Sequence, residues 1–173
     1  MTEKMFCFQC EQTAGCTGCT GSAGVCGKKA DTALLQDRLT GALIGLARTA
    51  EKNENSVTEK TDRLVIDGLF TTITNVNFNN ETISALIDRV HAERDRMIRE
   101  CPLCASAAEE NGDYDLRSFW NAQEDIRSLK SLILFGIRGI AAYAYHAAVL
   151  GYTDQEVNQF FYQALRSIGT DGE

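Results

Sequence analysis

Residues 153–168 have the sequence TDQEVNQFFYQALRSI, the clearest helical pattern in the chain. Apolar residues recur there at intervals of three and four, as they do along the buried face of an amphipathic α-helix. They are Val157, Phe160, Phe161, Ala164, Leu165 and Ile168. The first four residues, TDQE, fit a capping box, in which a threonine and an acidic residue three positions later satisfy free backbone groups at a helix start. We therefore expect a helix over 154–167.

The same spacing of apolar residues recurs in earlier segments of the chain. It predicts helices over most of 32–51, 82–99 and 124–150, and a further helix after the capping box SVTE at 56–59. We expect the helix at 124–150 to be the most buried, because its small residues permit close packing. The single proline, Pro102, follows a helix that should stop before it. No segment alternates with the period of a strand, so the sequence predicts an all-α fold.

The composition is typical of a globular protein. The 173 residues are 44% apolar and 24% charged, which indicates one domain, two at most, and makes a disordered chain a poor fit. Lysine and arginine total 17 against 24 acidic residues, so the formal net charge is −7. An acidic chain is a poor electrostatic match for nucleic-acid phosphates, so we expect no nucleic-acid partner.

One apolar segment, 132–150, is long enough to cross a membrane. Arg138 lies inside it, and a central arginine costs roughly 2.5–3.5 kcal/mol on membrane insertion. We therefore expect a helix inside the protein and no membrane partner. The first seven residues, MTEKMFC, lack the apolar run of a secretory signal. This favours a cytoplasmic protein.

Cysteine is concentrated at the N-terminus. Five of the seven cysteines lie in the first 26 residues: Cys7, Cys10, Cys16, Cys19 and Cys26. In a cytoplasmic chain, clustered cysteines more often bind a metal or a cluster than form disulfides. Glycine stands at every third position from Gly15 to Gly27, where it permits tight turns and a close approach to a bound group. We predict that residues 1–30 form a loop around such a group.

Two sets of four cysteines have suitable spacing. One is Cys7-x2-Cys10-x8-Cys19-x6-Cys26, and the other is Cys7-x2-Cys10-x5-Cys16-x2-Cys19. Four thiolates suit either a tetrahedral zinc ion or an iron–sulfur cluster. The intervals are shorter than the usual loop between the two cysteine pairs of a structural zinc site, which favours iron–sulfur. A non-enzymatic zinc-binding interaction module stays open as the alternative.

Three segments around these cysteines resemble the hybrid-cluster proteins, also called prismane proteins or hydroxylamine reductases. The segments are MFCFQCEQT at 5–13, TGCT at 17–20 and GVCGK at 24–28. The resemblance continues through LQD at 35–37, DGLFTTITN at 67–75, EDIRSL at 124–129 and AAYAYHAAVLGY at 141–152. It therefore covers most of the chain.

The resemblance implies that Cys7, Cys10, Cys19 and Cys26 hold a conventional iron–sulfur cluster, with Cys16 as an extra cysteine. The short interval between Cys10 and Cys19 looks like the 4Fe–4S version of the family rather than the 2Fe–2S version. The last interval is one residue longer than the five that are common in the family. The overall expectation is an iron–sulfur loop at 1–30, followed at 31–173 by a helical bundle of the three-helix-bundle type.

The resemblance also implies that this chain is the N-terminal part of a longer enzyme. Such enzymes reduce hydroxylamine to ammonia, with nitric oxide as an alternative substrate, at a hybrid iron–sulfur–oxygen cluster held by later domains. Nothing in this chain matches those domains, so no catalytic residue is expected here and the chain alone should be inactive. The expected partners are a redox donor protein or reductase and the C-terminal domains. The chain by itself should expose apolar surface and self-associate.

Other residues have simpler interpretations. The CPLC sequence at 101–104 has the spacing of a redox-active pair but follows no predicted strand, so we interpret Cys101 and Cys104 as structural or incidental. Lys28 and Lys29 should be a solvated pair, although they could place positive charge near the cluster. The remaining candidates are expected to be packing residues: Trp120, Tyr143, Tyr145 and His146.

Overall fold

The computed structural model describes residues 5–10, 15, 17–101 and 112–170. These residues form six α-helices and one short 3₁₀ turn, Glu54–Ser56. The helices are α1 (Ala30–Lys52), α2 (Glu59–Thr71), α3 (Asn80–Arg99), α4 (Leu116–Trp120), α5 (Glu124–Val149) and α6 (Gln155–Gly169). Only isolated bridges pair extended backbone in this part of the chain, so the all-α prediction is confirmed.

The caps of two helices differ from the predicted capping boxes. At α2 the box is formed by Thr58 and Thr61, two positions later than predicted: the Thr58 backbone N–H donates to Thr61 Oγ1 at 3.1 Å. At α6 the Asp154 carboxylate caps the helix, accepting from the N–H groups of Glu156 and Val157. In both cases the side chain that bonds is the one whose own backbone is extended at the helix start.

The most buried helix is α1, so the prediction that the helix at 124–150 would be the most buried is wrong. α1 buries 14 of its 23 residues, whereas α5 buries six of 26. α1 packs against α3 and α6 and also contacts α2 and α4. Its glycines permit these contacts: a Cβ on Gly41 would collide with the backbone carbonyl of Tyr114.

One face of α5 packs on α2 and α6, and the opposite face is exposed. The buried face includes Leu134, Ile137, Arg138 and Ala141. The exposed apolar residues on and just after the helix are Leu129, Leu132, Ile140, Tyr143, Val149 and Leu150. Among the described helices, α5 is the one whose length and apolar character would suffice to cross a membrane, a test that core helices of soluble proteins also pass.

Arg138 joins three helices from the buried face of α5. Its Nε donates to Thr72 Oγ1, just after α2, at 3.0 Å, and its Nη2 donates to Thr40 Oγ1 of α1 at 3.1 Å. A buried donor or acceptor that loses its hydrogen-bond partner destabilises the folded protein. Arg138, which makes membrane insertion of this segment unfavourable, therefore crosslinks the helices of the bundle.

Candidate metal centre

Backbone pairing places two of the predicted cysteines side by side. The Cys7 N–H donates to the Cys19 carbonyl at 3.0 Å, and the Cys19 N–H donates to the Cys7 carbonyl at 2.7 Å. Residues that exchange both hydrogen bonds in an antiparallel pair lie about 5.5 Å apart between Cα atoms. Hydrogen bonds of the main chain thus bring together two cysteines that are twelve residues apart in sequence.

A second turn brings Cys26 back toward Cys19. The Gly24 N–H donates to the Lys28 carbonyl at 2.7 Å, and the Gly27 N–H donates to the Gly24 carbonyl at 2.9 Å. A Cβ built on Gly24 would lie 3.6 Å from Cys26 Sγ and 3.7 Å from Cys19 Sγ. A side chain at Gly24 would therefore lie in contact with both sulfur atoms, at the edge of the pocket that Gly24 lines.

All four predicted ligands line one pocket. The pocket is lined by Cys7, Cys10, Cys19 and Cys26 together with Met5, Gln9, Gly24, Val25, Lys28 and Thr74. The described residues contain no group of three or more histidine, cysteine or acidic side chains already placed around a metal ion. The four thiols thus share a pocket, and their sulfur atoms would have to converge further to hold a metal.

The donor chemistry of this pocket fits a thiolate-bound metal or cluster. Four cysteines are the donor set that zinc and iron–sulfur clusters prefer. Gln9 Oε1, which is buried at the pocket, has no hydrogen-bond partner among the residues that the structure describes. Cys16, the rival of Cys19 in the alternative spacing, lies outside the described residues.

Burial raises the pKa of the Cys7 thiol, while a hydrogen bond from the Gln9 backbone and the charge of Lys28 act in the opposite direction. A bound metal replaces the proton of such a thiol, because the thiolate is the ligand. The cost of the buried negative charge is then offset by the metal and by nearby positive charge.

A layer of buried polar groups lies beneath the cysteines. Lys28 Nζ donates to Gln36 Oε1 of α1 at 2.7 Å. Burial raises the pKa of Asp37 to about 7, opposed by the charges of Arg138 and Lys28. Burial also lowers the pKa of Arg138 to about 10, opposed by Asp37 and Cys7. The cysteines therefore share an electrostatic environment with the crosslink that Arg138 makes in the bundle.

Aromatic side chains cover another side of the loop. Phe6 and Phe8 flank Cys7 in sequence, and their ring centroids lie 5.5 and 4.4 Å from that of Trp120. Trp120 also stacks on Phe119 at 4.0 Å. These contacts join the cysteine loop to α4.

The model of one protein family, described as "Prismane/CO dehydrogenase family", matches residues 5–173 of this chain. The chain belongs to this family. The resemblance to hybrid-cluster proteins found in the sequence is thereby confirmed.

Individual relatives of this prismane-family chain are named hydroxylamine reductase. That of Methanocella arvoryzae is 40% identical over 95% of this chain and 34% of the relative. That of Thermodesulfovibrio yellowstonii is 38% identical over 98% and 35%. That of Caldanaerobacter subterraneus subsp. tengcongensis is 39% identical over 97% and 34%. The chain spans about a third of the length of the curated relatives it matches.

Two other residues singled out in the prismane-family sequence, Cys101 and His146, are not part of the lining of the cysteine pocket. Cys101 is disulfide-bonded at the end of α3, next to Lys52, the last residue of α1, whereas the pocket lies at the beginning of α1. Cys104 lies outside the described residues. His146 is exposed and contacts the rings of Phe70 and Tyr145 edge-on.

Two packing predictions differ in outcome. Tyr145 stacks on Phe70 with a centroid distance of 4.0 Å, as expected of a packing residue. Tyr143 is 83% exposed, so the prediction that it packs within this chain is wrong. The two tyrosines are two positions apart on α5, and this places them on different faces of the helix.

The solvated lysine pair is also a prediction that the structure corrects. Lys29 is exposed, but Lys28 is only 1% exposed and lines the cysteine pocket. Sequence reasoning did not single out Gln36 or Asp37 as site residues. The sequence feature that could have indicated them is the LQD segment at 35–37, in which two polar residues follow an apolar residue near the beginning of α1.

The close approach of Gly24 to Cys19 and Cys26 can be tested by adding a side chain there. Gly24→Val should weaken metal or cluster binding roughly 10-fold or more, because the new side chain would contact both sulfur atoms at the edge of the pocket. The bound metal per chain is measured by elemental analysis, and the helical content by circular dichroism. Gly21→Val is the matched control, because the nearest atom to its Cβ would be the Ala23 carbonyl oxygen at 3.9 Å. Equal metal content in both variants would contradict this role of Gly24.

Proposed function

We propose that this chain is the N-terminal iron–sulfur electron-transfer part of a hydroxylamine reductase. Cys7, Cys10, Cys19 and Cys26 are the proposed ligands. The observation that carries this proposal is that all four line one pocket. Membership of the prismane family and the names of the relatives support iron–sulfur chemistry over zinc.

The proposed cluster is of the 4Fe–4S type, because the short interval between Cys10 and Cys19 resembles the 4Fe–4S version of the family. When bound, such a cluster accepts and returns a single electron. The role of the chain is to supply four thiolates and to offset the negative charge of the site. Four cysteine ligands leave no open coordination position, so the site suits electron transfer rather than substrate activation.

The proposed overall reaction is the reduction of hydroxylamine to ammonia. Two electrons and two protons convert NH₂OH into NH₃ and H₂O, with cleavage of the N–O bond. Nitric oxide is the proposed alternative substrate. In this proposal the hybrid iron–sulfur–oxygen cluster belongs to the other two-thirds of a longer protein. The electrons come from a cytoplasmic redox donor protein or reductase.

We also propose that the exposed apolar face of α5 packs against that other part of a longer protein. The face includes Leu132 and Tyr143, which are 69% and 83% exposed here. Apolar patches of this kind on a helix are typical of interfaces. The relatives are about three times as long as the matched segment, so they have the additional chain that this face requires.

The choice between Cys19 and Cys16 as a ligand can be tested by two alanine variants. Cys19→Ala should lose or degrade the cluster, because it removes one of the four thiols that line the pocket. Cys16→Ala should retain it. Visible absorption and acid-labile sulfide after anaerobic purification measure the outcome. A colourless Cys16 variant beside a brown Cys19 variant would show that the ligand register is wrong.

Catalysis should require the additional part of the relatives. This chain, loaded with its cluster, should take up electrons from a reduced viologen but show no hydroxylamine-dependent turnover, since the proposed site has no open metal position. A fusion to the other two-thirds of the Methanocella arvoryzae relative should restore turnover. Steady-state donor oxidation with and without hydroxylamine is the assay. Substrate-dependent turnover by the 173 residues alone would refute the proposed division of labour.

The same fusion tests the face of α5. Hydroxyl-radical footprinting should label Tyr143 strongly in the chain alone and weakly in the fusion, because the added part would cover it. Phe78, which is 41% exposed between α2 and α3, is the control and should be labelled equally in both. Equal labelling of Tyr143 in the two proteins would show that the added part does not cover this face.

A further inference from the structure

Lys28 is the one lysine in the pocket of the four cysteines, within the described part of the chain. Its side chain is 1% exposed, and its Nζ lies 3.9 Å from Cys7 Sγ. Fully buried lysines are rare, because removing an ammonium group from water is costly unless it gains a partner. Lys28 therefore needs a partner that stabilises its buried charge, whereas the charge of its exposed neighbour Lys29 is solvated.

Three described groups lie close to Lys28 Nζ, and each of them can stabilise a cation. None of the three is a carboxylate. The ammonium group donates to Gln36 Oε1 at 2.7 Å and lies 5.9 Å from the centroid of the Phe78 ring. The third contact is Cys7 Sγ. Among these three neighbours, only the sulfur can acquire a full negative charge. When Cys7 becomes a thiolate ligand, it therefore places a full negative charge 3.9 Å from the ammonium group, whereas the carboxyl group of Asp37 interacts with Lys28 only through its charge.

The position of Lys28 is fixed from the helical side. Gln36 is fully buried on α1, and its Nε2 donates to the Asn77 carbonyl at 2.9 Å. That bond turns Oε1 toward the lysine, because an amide has one donor end and one acceptor end. Gln36 is thus a positioning residue, which holds the ammonium group against the sulfur of Cys7.

We propose that Lys28 raises the reduction potential of the cluster by holding a buried positive charge against the Cys7 ligand. This inference rests on the proposed function, in which the four cysteines bind an iron–sulfur cluster. The reduced cluster carries one more negative charge than the oxidised cluster. A fixed positive charge in a poorly screened site therefore stabilises the reduced state more than the oxidised state.

The experiment is a redox titration of cluster-loaded protein, followed by electron paramagnetic resonance and visible absorption. Lys28→Met should shift the reduction equilibrium at least tenfold toward the oxidised state, which is about 59 mV for one electron. Lys28→Arg keeps the charge and should stay close to wild type. Lys29→Met is the matched control, because it removes the same charge from an exposed position. Its potential should not change.

Gln36→Leu keeps Lys28 but removes the acceptor that positions it. It should shift the potential in the same direction as Lys28→Met. If Lys28→Met binds no cluster, Gln36→Leu is the variant that tests whether Lys28 raises the reduction potential. A Gln36→Leu protein with the wild-type potential would then overturn the inference. So would a Lys28→Met protein with a full cluster and an unchanged potential.

Iron and acid-labile sulfide are measured in every protein before titration. These contents separate a failure of the proposed function from a failure of this inference. Zinc without sulfide in the wild type would overturn the proposed function and, with it, the role of Lys28. An intact wild-type cluster with identical potentials in wild type, Lys28→Met and Gln36→Leu would overturn the role of Lys28 alone.

Discussion

The burial of α1 is the constraint on which the described structure depends. The helix is enclosed by α3, α6, α2 and α4, so its first turn has one position relative to the bundle. The cysteine loop leads directly into that turn, and Gln36 and Thr40 connect it to Lys28 and Arg138. The pocket of the four cysteines is therefore positioned by the packing of the core, although the cysteines themselves lie in irregular backbone.

Hydrophobic periodicity predicted five of the six described helices, because each of these has an apolar face that must be buried, but it missed the short helix α4. Periodicity could not predict which helix is most enclosed. α5 has as regular an apolar pattern as a core helix, yet several of its apolar residues lie on a surface that the described part of this chain leaves exposed. Sequence shows that a residue is apolar, and it does not show whether the same chain or another part of a longer protein covers it. The caps were misplaced for a related reason, because capping depends on backbone geometry at a single residue.

For the candidate site, the sequence predicted four ligands that the structure places in one pocket, but it did not predict the buried residues around them. The spacing of the cysteines and the family resemblance indicated Cys7, Cys10, Cys19 and Cys26, and the structure places all four on one pocket. Lys28 and Lys29 are the same residue type at adjacent positions, and only the fold shows that one is buried and the other exposed. The buried polar contacts of Gln36 and Arg138 likewise depend on pairings between residues far apart in sequence.

The central claim is that this chain binds an iron–sulfur cluster through four cysteines. The most direct test is the content of iron, zinc and acid-labile sulfide per chain after anaerobic preparation. If the four cysteines bind an iron–sulfur cluster, we expect iron and sulfide in near-equal amounts, with little zinc. Stoichiometric zinc without sulfide would contradict it and would identify the pocket as a zinc site.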